Sequence, residues 1–216
     1  MEDKKYKPFF ITWRIGAIYM VYEIKKLTPE LADDYIGFFE TSAFCDGSEF
    51  AGCYCTWYNW NDDYEYQYNQ SSGEKKRTFK KELARSWILQ GKMNGFLAYY
   101  EGVPIGWCNA DDKQNYSRLS HAMNAETWTD SNDKDKILSI VCFIVSPSMR
   151  GKGVATSLLK EVCSYAEKNH YQYVEAYPSE GEFTTTNYHG QYSTYEKLGF
   201  QSICKSQIGL VVRKFF

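Results

Sequence analysis

The chain has 216 residues, 44% of them apolar and 24% charged, with a net charge of only -2. That length fits one ordinary domain better than two. The balanced charge argues against nucleic acid as a partner, and no run approaches the ~18 consecutive apolar residues of a membrane-spanning helix.

Lys4, Lys5 and Lys7 precede the largely apolar stretch from Pro8 to Met20, which imitates a secretory leader. Arg14 interrupts that stretch, however, and no small-x-small cleavage site follows it. Residues 1–20 therefore read as an N-terminal extension of uncertain order, ahead of a single domain over 21–216. Seven cysteines are an odd number in a chain too long to need disulfide staples, which points to reduced thiols and a cytoplasmic protein.

Tyr22 to Leu27 alternates like an opening strand. Thr28-Pro29-Glu30 then supplies a cap, a proline at the first helical position and an acidic first turn, so a helix is predicted from Pro29 to Phe39. Residues 41–73, rich in Gly, Asn, Asp, Ser and aromatics, show no period and read as an irregular excursion. Such excursions in compact domains are usually functional or mobile. Phe79, Leu83, Trp87 and Ile88 share one face of a predicted helix over 75–90 that stops at Gly91. A two-strand hairpin over 94–108 turns at Glu101-Gly102, and 111–135 is polar and loop-like. Ile137 to Val145 is nearly continuous apolar sequence, the mark of a central strand buried on both faces. Val154, Leu158, Val162 and Ala166 form one stripe of the next helix, and 171–177 completes a βαβ crossover. A loop over 178–190, a short helix over 191–198 and strands over 202–206 and 210–213 finish the chain.

Arg150-Gly-Lys-Gly153 lies where that crossover helix begins. A helix start leaves four backbone N–H groups without intrahelical partners and carries partial positive charge, so it binds phosphate oxygens. Gly151 and Gly153 let backbone approach a ligand, and Arg150 and Lys152 add two cations. A Walker-type loop is absent, because no second glycine is followed by Lys and Ser or Thr. A dinucleotide fingerprint is approached by Gly151, Gly153 and Thr156 with Glu175 near the acidic position. Two defects count against it: Ser146 to Arg150 separate the glycines from the strand, and the unit occurs once, late in the chain.

Val145-x-Pro147-x-x-Arg150-Gly-Lys-Gly-Val-Ala155, followed by Leu158-Leu159 and later by Tyr195-Glu-Lys-Leu-Gly-Phe200, resembles the acetyl-CoA-binding core of the GCN5-related N-acetyltransferase (GNAT) superfamily. The resemblance is dense over 137–200. It implies an α/β fold with a mixed sheet of about six or seven strands, splayed at the acetyl-CoA site and flanked by about four helices. It further implies that backbone groups of Phe143, Ile144 and Val145 pair with the pantetheine arm and thioester. N–H groups of Gly151, Lys152, Gly153, Val154, Ala155 and Thr156 would hold the pyrophosphate. Many members carry Asn seven residues before the Tyr, where this chain has Tyr188, with Asn187 one position off.

The implied reaction is acetyl transfer from acetyl-CoA to a primary amine by direct attack in a ternary complex. A lysine-like amine of pKa near 10.4 is neutral in only about 1 molecule in 2,500 at pH 7, a handicap of about 4.6 kcal/mol, so a base or a pKa-lowering pocket helps. An oxyanion donor is expected from a free N–H near Phe143 to Val145. Tyr195 matches the family's usual general acid for the departing thiolate, and Glu175 is the candidate base.

The least generic segment runs from Cys45 through Cys53, Tyr54, Cys55, Trp57, Tyr58 and Asp62 to Tyr64. Aromatic faces and carboxylates suit a cation. Cys53, Tyr54, Cys55, Trp57 and Asp62, with Trp107 and Cys108 from the hairpin, are therefore the predicted acceptor pocket, for a small cationic amine. Cys45, Cys53 and Cys55 lack an obvious fourth ligand and zinc-site spacing, so no metal is expected. His121, His170 and His189 read as surface or loop residues. A protein lysine or N-terminal acetyltransferase and a non-catalytic acyl-CoA-binding module stay open as alternatives, as does a homodimer.

Overall fold

The computed structural model describes residues 8–15, 18–119, 136–179, 188–206 and 209–216. His121, Asn187 and most of the polar stretch before Ile137 lie outside the described residues. No helix among the described residues is long and apolar enough to cross a membrane.

Eight strands form one mixed sheet: β1 (Phe9–Ile15), β2 (Ile18–Lys26), β3 (Gly95–Tyr100), β4 (Val103–Asp112), β5 (Ile137–Val145), β6 (Tyr173–Ala176), β7 (Gln201–Ser206) and β8 (Gly209–Phe215). Their spatial order is β1-β2-β3-β4-β5-β6-β8-β7, and only β5 and β6 run parallel among the described pairs. The strand beyond the expected six or seven is β1, from the segment read as an extension. It pairs with β2 along its whole length, from Phe9 opposite Ile24 to Ile15 opposite Ile18.

Helices α1 (Ala32–Thr41), α2 (Asp62–Gln70) and α3 (Glu74–Leu89) follow β2, α4 (Val154–Lys168) follows β5, and the short α5 (Tyr192–Glu196) precedes β7. The expected start at Pro29 is a 3-10 turn, Pro29–Leu31, that leads into α1. One face of the sheet packs on α4 through Val154, Leu158, Leu159, Val162 and Ala166, the predicted stripe with Leu159 added. The opposite face packs on α1 and α3 through Tyr35, Phe38, Phe39, Ala84, Trp87 and Ile88. Leu138 and Ile140 of β5 face the first layer, Ile144 the second, and Val141 a third cluster with Tyr116, Leu119, Tyr177 and Val211, which is why Ile137–Val145 reads as an unbroken apolar run. The hairpin turns at Glu101 and Gly102, both at positive φ (51° and 79°), as a tight turn matched to strand twist requires.

The excursion is not irregular throughout. Asn61 caps α2 by accepting the Tyr64 N–H at 2.9 Å, and Asp62, Asp63 and Glu65 fill its first turn. This helix escapes an apolar-period search because none of its residues is buried. The cap and the acidic turn were the signals present. Trp60, itself buried, fixes α2 to α3 by packing tilted against Tyr68 at 4.9 Å and edge-on against Phe79 at 5.9 Å.

β5 and β6 pair only over Ile137–Ile140 against Tyr173–Ala176. Beyond that point β5 bulges at Val141, where its partners on β4 shift from Ala110 to Asn109, and the two strands part. The opening so made is the sheet's one splay among the described strands.

Candidate functional site

A cavity of about 640 Å³ occupies the α4 side of the splay. Its walls include Phe143 and Val145 of β5, Arg150, Gly151 and Gly153 of the loop, Val154, Ala155 and Thr156 of α4, and Tyr195 of α5. The predicted cofactor residues thus converge, apart from Ile144 and Lys152, which do not line the cavity. Ile144 points to the opposite layer. Its backbone also faces β4, because Phe143 turns its N–H to the open side and neighbouring residues alternate in an antiparallel pair. The carbonyl of Lys152 accepts a 2.7 Å hydrogen bond from the Tyr22 hydroxyl, which ties the loop to β2.

The residues fit a bound pyrophosphate. No side chain caps the N-terminus of α4 and no acidic residue lies in its first turn, so the backbone N–H groups there remain available to an anion. Arg150 plays a different part from the one its sequence position suggests. Its guanidinium pairs with Asp46 at 2.6 Å and its Nε donates to the Val145 carbonyl at 3.3 Å. It fastens the excursion to the loop, and its charge is already matched.

Trp13 of β1 also lines the cavity and lies against Gly153. A Cβ at Gly153 would meet the Trp13 ring at 2.2 Å, and φ there is +83°. At Gly151 φ is +73° but the added atom would meet open space. Left-handed backbone costs an ordinary residue about 1–2 kcal/mol, so Gly151→Ala should lower stability by about that much. Gly153→Ala should cost more in thermal unfolding and weaken acetyl-CoA binding at least tenfold by calorimetry. Adding Trp13→Ala should return part of the Gly153→Ala loss, because it removes the clash.

The expected free N–H on β5 is engaged: Phe143 donates to the Tyr188 carbonyl at 2.6 Å. Tyr188 is held by the excursion. Its hydroxyl lies 2.8 Å from the Ser48 hydroxyl, and its ring packs edge-on against Phe44 and Phe50 at 5.9 and 5.0 Å. The next residue, His189, accepts the Tyr195 hydroxyl on its carbonyl at 2.8 Å. Its ring packs against Tyr58 at 6.4 Å on the other face of β5. Residues 188–189 therefore thread the splay, between the acid candidate and the excursion. Burial holds the His189 imidazole below its ordinary pKa, opposed by a hydrogen bond to Val141 backbone, so it is largely neutral at pH 7. His189 is thus a half-buried residue of the loop over 188–190. No local motif signals it, since its place depends on where β5 and β6 separate.

Tyr195 is 1% exposed, and burial raises its pKa well above the usual value. Its hydroxyl is a retained proton at the cavity wall. Glu175 sits elsewhere, fully buried on β6, with Oε1 receiving Lys113 at 3.0 Å and the Tyr177 hydroxyl at 2.7 Å, and Oε2 receiving Arg213 at 2.7 Å. Both oxygens are committed and the residue does not line the cavity, so its geometry is that of a structural anion rather than the base first assigned.

The proposed acceptor pocket does not assemble as a cage. Tyr54, Cys55 and Trp107 are core residues of the α1 layer, and Cys108, the neighbour of Trp107, points into the α4 layer. Asp62 is exposed on the first turn of α2. Trp57, 40% exposed, already carries the guanidinium of Arg118 at 5.6 Å from its ring centroid. Cys53 is half-buried and Cys45 is exposed.

The model of the acetyltransferase (GNAT) family matches residues 31–200. No curated protein matches. Among solved structures, the PaiA N-acetyltransferase of Thermoplasma acidophilum in complex with coenzyme A is 16% identical, covering 90% of this chain and 99% of its own, with TM-score 0.51. A GNAT-family acetyltransferase of Listeria monocytogenes is 12% identical, covering 95% and 100%, with TM-score 0.55. The GNAT domain of S. lividans PAT is 13% identical, covering 97% of each chain, with TM-score 0.52. At these identities the structures speak for the fold, while the family model spans most of the chain and includes both the glycine loop and the Tyr195 to Phe200 segment. The chain belongs to the acetyltransferase (GNAT) family and is an acyl-CoA-dependent N-acetyltransferase.

Proposed function

We propose that this protein acetylates a primary amine by direct attack in a ternary complex, with the acceptor entering on the Tyr58 face of β5. The observation that carries this reading is the convergence on one splay of the uncapped α4 start, the Phe143 N–H and the Tyr195 hydroxyl. Acetyl-CoA, when bound, supplies the acyl group as a thioester. Phe143 serves as the oxyanion donor once the Tyr188 carbonyl withdraws from it. Tyr195 holds the proton for the departing thiolate, whose conjugate thiol has a pKa of about 8.5 if it resembles cysteine. His189, neutral and joined to Tyr195 through its own carbonyl, replaces Glu175 as the group that takes the proton from the amine.

The aromatic excursion gives little support to a cationic cage, because its rings are packed in the core or paired with Arg118. A small amine is the acceptor proposed, and a protein lysine or N-terminus is the alternative.

Incubation with acetyl-CoA and a panel of small amines, peptide lysines and peptide N-termini, followed by thiol release, tests the reading. Release with a small amine, and an acetylated product by mass spectrometry, is expected. Release with peptides alone would favour a protein substrate, and acetyl-CoA binding without release would favour a non-catalytic module. His189→Gln should lower kcat about a hundredfold with acetyl-CoA affinity unchanged, and an unchanged kcat would remove His189 from the mechanism.

A further inference from the structure

Three cysteines that the acetyl transfer does not use lie together on the Tyr58 face of β5. Cys55 Sγ lies 3.5 Å from Cys142 Sγ, and Cys53 shares a hydrogen bond with the Cys55 thiol. The backbone is bent to bring this about. Tyr54 and Cys55 are successive residues at positive φ, 49° and 45°, a conformation that side-chain-bearing residues adopt only when their surroundings impose it. Here the Tyr35 hydroxyl holds the Tyr54 carbonyl at 2.9 Å, and Asn109 holds the Cys55 carbonyl at 3.1 Å. Asn109 is in turn fixed by the Tyr116 hydroxyl at 2.7 Å. The pinned turn aims Cys55 at the residue next to Phe143.

The thiols differ in readiness to react. The hydrogen bond from Cys55 lowers the Cys53 pKa to about 6, with a further contribution from Lys80, so Cys53 is mostly thiolate at pH 7. Burial pushes Cys55 well above the ordinary thiol value. Cys53 is half-buried as a residue whereas Cys55 is buried.

We propose that Cys53, Cys55 and Cys142 form a peroxide-responsive thiol relay whose end product is a Cys55–Cys142 disulfide joining the excursion to β5. The Cys53 thiolate attacks one oxygen of hydrogen peroxide, giving Cys53 sulfenic acid and hydroxide. The Cys55 thiol condenses with the sulfenic acid, forming a Cys53–Cys55 disulfide and releasing water. Cys142 gives its proton to the hydroxide, making a second water, and its thiolate attacks the Cys55 sulfur while Cys53 leaves as thiolate. In net terms two thiols lose two electrons and two protons, peroxide is reduced to two waters, and Cys53 is regenerated. Closing 3.5 Å to a bond of about 2.0 Å asks for a small shift of Cys142, the neighbour of the oxyanion donor. Oxidation would thereby couple the redox state of the excursion to the splay.

The test uses the full chain with stoichiometric hydrogen peroxide, thiol alkylation and peptide mass mapping, none of which depends on acetyl transfer. The expected result is a mass lower by two hydrogen atoms and a crosslinked peptide pair containing Cys55 and Cys142, reversed by dithiothreitol. Cys53→Ser should slow the crosslink about tenfold, since burial leaves the Cys55 thiol less ionised. Cys142→Ala should halt the relay at a Cys53–Cys55 disulfide. Acetyl-CoA binding by each variant checks folding. Oxidation that stops at Cys45, or a crosslink whose rate ignores Cys53→Ser in a folded variant, would overturn the relay.

Discussion

Replacing Tyr195 with Phe is expected to lower kcat about a hundredfold while acetyl-CoA affinity stays within a factor of two or so, because a positioned proton donor typically contributes 10²–10⁴. The hydroxyl is at the cavity wall, protonated by virtue of burial, and oriented by a 2.8 Å bond to the His189 carbonyl. Removing it also leaves that carbonyl short of a donor, at a cost near 1 kcal/mol, so a small loss of thermal stability should accompany the loss of rate. The two effects separate experimentally: rate is read from thiol release with an active amine, affinity from acetyl-CoA titration and stability from thermal unfolding. An unchanged kcat with the expected small drop in Tm would reduce Tyr195 to a packing residue against Phe143 and Phe200.

Glu175→Gln should act through stability. It removes the anion that faces Lys113 and Arg213 and leaves two largely buried cations opposed by an amide. Breaking a buried pair by removing one partner typically costs about 3–5 kcal/mol, a large share of the ~5–15 kcal/mol that holds a domain together. At about 2–4 °C per kcal/mol for a chain of this size, Tm should fall by roughly 10 °C. Well below that Tm, kcat should be close to wild type. A general base would give the reverse pattern, with turnover lost and Tm nearly intact, so one pair of measurements distinguishes the roles.

Most of the helices and the central strand are legible in the residues because their signals are local and periodic. The α4 stripe, the apolar run of β5 and the Glu101-Gly102 turn each need only neighbours in sequence. α2 and β1 are harder. α2 buries none of its own residues and is held by Trp60 from outside its span. β1 lies in a stretch whose apolar residues resemble a leader, and only pairing with β2 makes it a strand.

The site divides the same way. Arg150 to Thr156 is a contiguous loop at a helix start, so an anion-binding role follows from glycine geometry and unpaired N–H groups with no knowledge of the rest of the chain. The sequence by itself determined the family, the cofactor loop and the acid candidate, because each is written in a short run of residues. Only the tertiary structure decided that Glu175 is held by two cations, that Trp13 covers Gly153, that His189 threads the splay and that Cys55 meets Cys142. Each of those pairs joins residues from separate elements, and their distance is set by how strands pair and layers pack, which no local pattern encodes.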